Sequence, residues 1–98
     1  MLDRKTTILV VDDEEVVRRT VNKMLGNSYL VLEAEGGEKA VQIARAYKPD
    51  VILMDMFMPG MDGCTTCFEL KNDELTGEIP VVAMTGKEGA LTEKAVLA

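Results

Sequence analysis

Two runs of four apolar residues, Ile8-Leu9-Val10-Val11 and Val51-Ile52-Leu53-Met54, each stop at an aspartate, Asp12 and Asp55. Unbroken aliphatic and β-branched runs of this length read as strands buried on both faces, the type found in parallel sheets covered by helices. The segments between them agree. After Asp12-Asp13-Glu14-Glu15, whose acids suit a helix N-terminus, Val17, Val21, Met24 and Leu25 recur at helical spacing with Arg18, Arg19 and Lys23 outside. Gly26-Asn27 ends that helix. Tyr29 to Ala34 is a second strand, Gly36-Gly37 a turn, and Ala40, Ile43, Ala44 and Tyr47 the stripe of a second helix, which Lys48-Pro49-Asp50 stops. A loop from Met56 to Asp62 leads into a third helix, about Gly63 to Asn72. A fourth strand follows from Ile79 to Met84, then a fourth helix from Glu88 to Leu97 with a weak apolar stripe.

The order βαβαβαβα predicts one α/β domain over residues 1–98, with a parallel sheet covered on both faces by right-handed crossovers. Ligands of such sheets bind at the carboxyl ends of the strands, so the residues just after each strand carry the functional information. Composition narrows the chemistry. The chain is 47% apolar and 29% charged, as globular domains are, and its net charge of −6 disfavours direct contact with nucleic acid. It has no histidine, which excludes a Ser-His-Asp or Cys-His site, a His-ligated zinc and a phosphohistidine within this chain. Its two cysteines are too few for a disulfide-stapled fold. Runs of four apolar residues cannot span a bilayer, and the N-terminus lacks a signal peptide's apolar core; the expectation is a cytoplasmic protein with no membrane partner.

If the first and third strands are neighbours, Asp12, Asp13 and Asp55 converge. Like charges at that range repel and raise one another's pKa unless a cation intervenes, and oxygen-only ligation with open positions suits Mg²⁺. A carboxylate beside Mg²⁺ can attack phosphorus to give an aspartyl phosphate, and the hydroxyl of Thr85, at the end of the fourth strand, can hydrogen-bond the transferred oxygens. Each residue also has a plainer role: Asp12-Asp13 and Thr85 as helix caps, Asp55 as a turn residue, Asp62-Gly63 as a helix start. Cys64-Thr65-Thr66-Cys67 is a CxxC at a helix start, where the dipole lowers thiol pKa, so a redox function is an alternative. Against it, Cys67 and Leu70 can share an inward stripe, and the flanking Trp and Pro of thioredoxin-like sites are missing. An aspartate-nucleophile phosphatase would need an acid two residues past the nucleophile, where this chain has Phe57. Met54, Met56, Met58 and Met61 are read as packing.

Ile8 to Glu14, Pro49 to Gly63 with its Asp55, Pro59-Gly60 and Asp62-Gly63, and Ile79 to Gly86 together resemble the receiver domains of two-component signalling, collinearly and over essentially the whole chain. The resemblance implies a flavodoxin-like doubly wound sheet of strand order 2-1-3-4. It implies Asp55 as phosphoacceptor, Mg²⁺ held by Asp13 and Asp55, by Asp12 through water, and by the backbone carbonyl of Phe57. Thr85 would bind the phosphoryl group and Pro59-Gly60 would shape the loop. The donor would be a phosphohistidine on a histidine kinase or phosphotransfer protein. Phe57 and Lys87 fall where members vary and tune the phosphoryl lifetime. Such a protein is a signalling phosphoacceptor that catalyses only its own phosphotransfer and dephosphorylation, not an enzyme in the ordinary sense. Receivers continue with a fifth strand ending in Lys-Pro and a fifth helix. The sequence stops at Ala98, so this fifth βα unit is missing, the active-site lysine has no counterpart, and Lys87 and Lys94 cannot be assigned to it. Three expectations follow: slow or absent phosphotransfer, an interaction module that does not exchange phosphate as the alternative, and self-association through the exposed edge of the fourth strand.

Overall fold

In the computed structural model, the described residues are 5–84 and 95–97. Every residue of β1 (Thr7–Val11) is buried, as an uninterrupted apolar run requires. It is an interior strand, parallel to β2 (Leu30–Ala34) on one side and β3 (Val51–Asp55) on the other. β4 (Val81–Met84) pairs in parallel with β3. The start of the β1–β3 register is pinned twice by one residue: Asp50 donates its N–H to the Thr7 carbonyl at 2.8 Å and accepts the Thr7 N–H on Oδ2 at 2.7 Å. The crossovers are α1 (Glu15–Leu25), α2 (Gly37–Tyr47) and α3 (Gly63–Lys71). Strand order 2-1-3-4, with helices between the strands, is the doubly wound arrangement expected.

The pleat divides the apolar side chains between two faces. Leu9, Val11, Ile52, Met54 and Val81 point to one, where they pack with Ala40 and Ala44 of α2 and Leu70 of α3. Val10 and Met84 point to the other and meet Val21 of α1, with Leu25, Val31 and Leu53 half-buried around them. The predicted helical stripes hold at most positions and fail at two. Val21, Ala40 and Ala44 are buried, but Met24 is 58% and Tyr47 67% exposed. The turn after α3 is tied down by the buried Thr76, which donates from Oγ1 to the Leu70 carbonyl at 2.6 Å. Lys71 likewise donates from Nζ to the Ile79 carbonyl at 2.6 Å.

The C-terminal expectation needs correction. Ala95–Leu97 is not the end of a fourth helix but a strand, β5, antiparallel to β4 with Val82 opposite Leu97 and Met84 opposite Ala95. Residues 88–94 of the expected helix lie outside the described residues. An edge strand presents a row of amide and carbonyl groups, and a short segment containing a β-branched residue satisfies them better than a poorly amphipathic helix would. The β4 edge expected to be open to a second copy is therefore filled by the chain's own residues.

Candidate functional site

Because β1 and β3 run parallel as neighbours, their carboxyl ends bring Asp12, Asp13 and Asp55 together. One carboxylate oxygen from each lies within 4.8 Å of the others. Asp12 and Asp55 are only 1% and 2% exposed, whereas Asp13 is exposed and forms the mouth. The backbone N–H of Asp12 continues the sheet by donating to the Ala34 carbonyl at 3.1 Å. Its carboxylate Oδ1 accepts the Glu14 N–H at 2.8 Å and turns the chain into α1. The N-cap position itself is Glu14, without a side-chain bond, so the capping role open to Asp12-Asp13 is met only by this turn.

Asp55 is held from the other side. Its Oδ1 accepts the Phe57 N–H at 3.0 Å, which orients the carboxylate and brings the Phe57 peptide to the rim, while the Phe57 ring is exposed. The loop then turns at Pro59-Gly60, where Gly60 has φ +74°, a conformation that costs other residues energy and glycine little. Asp62 caps α3, its Oδ1 accepting the Thr65 N–H at 2.8 Å; that bond holds its carboxyl below the usual range. Gly63 opens α3 so close to the site that a Cβ there would stand 2.6 Å from the Asp55 carbonyl oxygen and from Met56 Cα. Sequence reasoning saw Gly63 only as a helix start, since no local pattern announces a contact made across the fold.

Among the described residues the cluster consists of three carboxylates, oxygen donors that suit a hard divalent cation keeping several waters, so the pocket fits Mg²⁺. Thr85 lies outside the described residues, as do Lys87 and Lys94. The methionines around the site pack: Met54 and Met58 are buried in the larger core cluster, and Met56 lies against it. Cys67 also packs there, and burial pushes its thiol up, with Cys64 adding to the rise and Lys71 opposing it. Its place in the core agrees with the reading of Cys67 as a small packed hydrophobe. One residue was misplaced: Arg18, expected outside, has a side chain only 14% exposed.

The family model for the response regulator receiver domain matches residues 8–98. The chain is 37% identical over 87 residues to histidine kinase P4 of Formosa agariphila, a stretch covering 89% of this chain and 6% of that protein. It is 47% identical over 83 residues to the response regulator PleD of Caulobacter vibrioides, covering 84% of this chain and 18% of the relative. The chain thus spans a small part of these relatives' length. Among solved structures, the N-terminal domain of a response regulator receiver protein from Methanoculleus marisnigri superposes with a TM-score of 0.80 at 38% identity, covering 83% of this chain and 67% of that one. In sequence and in fold, the chain belongs to the response regulator receiver domain family.

Proposed function

We propose that this chain is a cytoplasmic receiver domain in which Asp55 accepts a phosphoryl group from the phosphohistidine of a histidine kinase or phosphotransfer protein. Asp12, Asp13, Asp55 and the Phe57 carbonyl are the proposed Mg²⁺ ligands, Thr85 the proposed phosphoryl-binding hydroxyl, and Pro59-Gly60 the turn that sets the loop. The supporting observation is the convergence of three carboxylates, two of them buried, at the carboxyl ends of adjacent parallel strands.

A carboxylate oxygen of Asp55 bonds to phosphorus as the donor's N–P bond breaks. The electron pair stays on the departing imidazole, which takes up a proton. Mg²⁺, when bound, offsets the negative charge of the carboxylates and of the phosphoryl oxygens. The Phe57 N–H holds Asp55 Oδ1, so the nucleophile is oriented before the donor arrives. Asp13 is exposed beside the two buried carboxylates, which leaves that side of the site open to a donor.

The test is labelling by acetyl phosphate with Mg²⁺, read by intact mass and by mapping the acyl phosphate. One phosphoryl group should appear on Asp55. An Asp55→Asn variant that still forms an acyl phosphate would overturn the assignment.

A further inference from the structure

We propose that Arg18 is a positioning residue for the acidic pocket, fixing the peptide of Asp12 so that its carboxylate is held ready for the cation. The proposal rests on reading the pocket as a Mg²⁺ site. Arg18 sits on α1 one turn beyond the acids, and its guanidinium points back under them. Nη1 donates to the Asp12 carbonyl oxygen at 2.8 Å. Nε donates to Glu33 Oε1 at 3.2 Å, and Asn22 Nδ2 donates to Glu33 Oε2 at 3.2 Å. The Asp12 N–H is already bound to the Ala34 carbonyl. Both ends of the Asp12 residue are therefore anchored, one by β2 and one by a side chain that β2 itself holds through Glu33.

Charge supply does not explain this arrangement. Glu33 lies against Arg18 and offsets its charge, and at 14% and 29% exposure the pair is better shielded than the helix pair Arg19–Glu15, at 71% and 61%. What the guanidinium adds is direction: a planar fork can reach two oxygens at a fixed angle, which an ammonium cannot. Mg²⁺ demands near-ideal octahedral geometry, so a small displacement of one ligand is felt in affinity. Groups that orient ligands from behind typically change metal affinity 10–100-fold when removed.

The experiment is an NMR titration of the full chain with MgCl₂, following the amides of Asp13 and Phe57, in wild type, Asp13→Ala, Arg18→Met, Arg18→Lys and Arg45→Met. Arg45 pairs with Asp73 at 3.1 Å away from the pocket and controls for loss of any ion pair. Arg18→Met and Arg18→Lys should each weaken Mg²⁺ about tenfold while keeping dispersed spectra, and Arg45→Met should leave affinity unchanged. Wild-type affinity in a folded Arg18→Met would overturn the role of Arg18 and leave the pocket standing. Should Arg18→Met fail to fold, Arg18→Lys, which keeps the stem and the charge, decides by the same criterion. No saturable shift in wild type, or one that survives Asp13→Ala, would overturn the pocket and with it the proposal.

Discussion

The two faces of the sheet are built differently. On the α2–α3 face, Leu9, Ile52, Met54 and Leu70 are fully buried, and the small Ala40 and Ala44 let α2 approach closely. On the α1 face, Val10, Val21 and Met84 make a smaller cluster ringed by half-buried Leu25, Val31 and Leu53, and the contact between α1 and β2 includes a polar clamp, Arg18–Glu33–Asn22. Apolar area yields stability without direction, whereas hydrogen bonds yield direction with little net stability. The pleat puts Asp55 on the same side of β3 as Leu53, so the site sits at the end of the thinner, more directional face.

The sharpest test of this contrast is a pair of truncations. Ile52→Ala should cost about 4 kcal/mol in chemical denaturation, since it leaves a cavity in the denser layer. Leu25→Ala should cost about 1 kcal/mol, because the side chain is only half-buried. Equal losses would mean the faces are energetically alike. Gly63→Val should cost about 3 kcal/mol, since the new side chain meets the backbone of Asp55 and Met56 rather than a yielding side chain, and it should disturb the site along with the fold. Lys48 caps α2 in the left-handed region at φ 47°, so Lys48→Gly should stabilise by about 1 kcal/mol without touching either face.

The smallest effects are in titration. The carboxyl of Asp62 is depressed in the folded chain by the Thr65 N–H. Its contribution is therefore present above the unfolded carboxyl value and lost as pH falls through the lower folded one. Asp62→Asn should flatten that acid limb slightly in a pH series of melting curves. The thiol of Cys67 is raised, so its contribution holds below the ordinary thiol value and fades as pH rises through the folded one. Exposed Cys64 should accordingly react with a thiol reagent before half-buried Cys67.

β1 was legible because a strand buried on both faces leaves an unbroken apolar run, β3 because its run is buried on one face and half-buried on the other, and their terminal acids followed from the rule for parallel sheets. Helix stripes were less so. Met24 fits the apolar spacing, yet among the described residues nothing covers it, and exposure depends on neighbours that the spacing does not encode. Arg18 was misplaced for the converse reason, as charge suggests solvent while its partners, a carbonyl at Asp12 and a carboxylate on β2, come from other elements. At Ala95–Leu97 a free sheet edge outweighed a faint helical pattern.

The β1–β3 pairing has a kinetic consequence. Its first bonds join Thr7 to Asp50, 43 positions apart in the chain. No hairpin or isolated βα segment can assemble the three acids, so the pocket comes into being only once the crossover has closed and its loop entropy has been overcome. A cation that binds there recognises the native topology and not the unfolded chain. Its presence should slow unfolding more than it speeds the search for the fold, if the closing of β3 onto β1 follows the rate-limiting step. A stopped-flow comparison with and without MgCl₂ would locate that closure on the folding path.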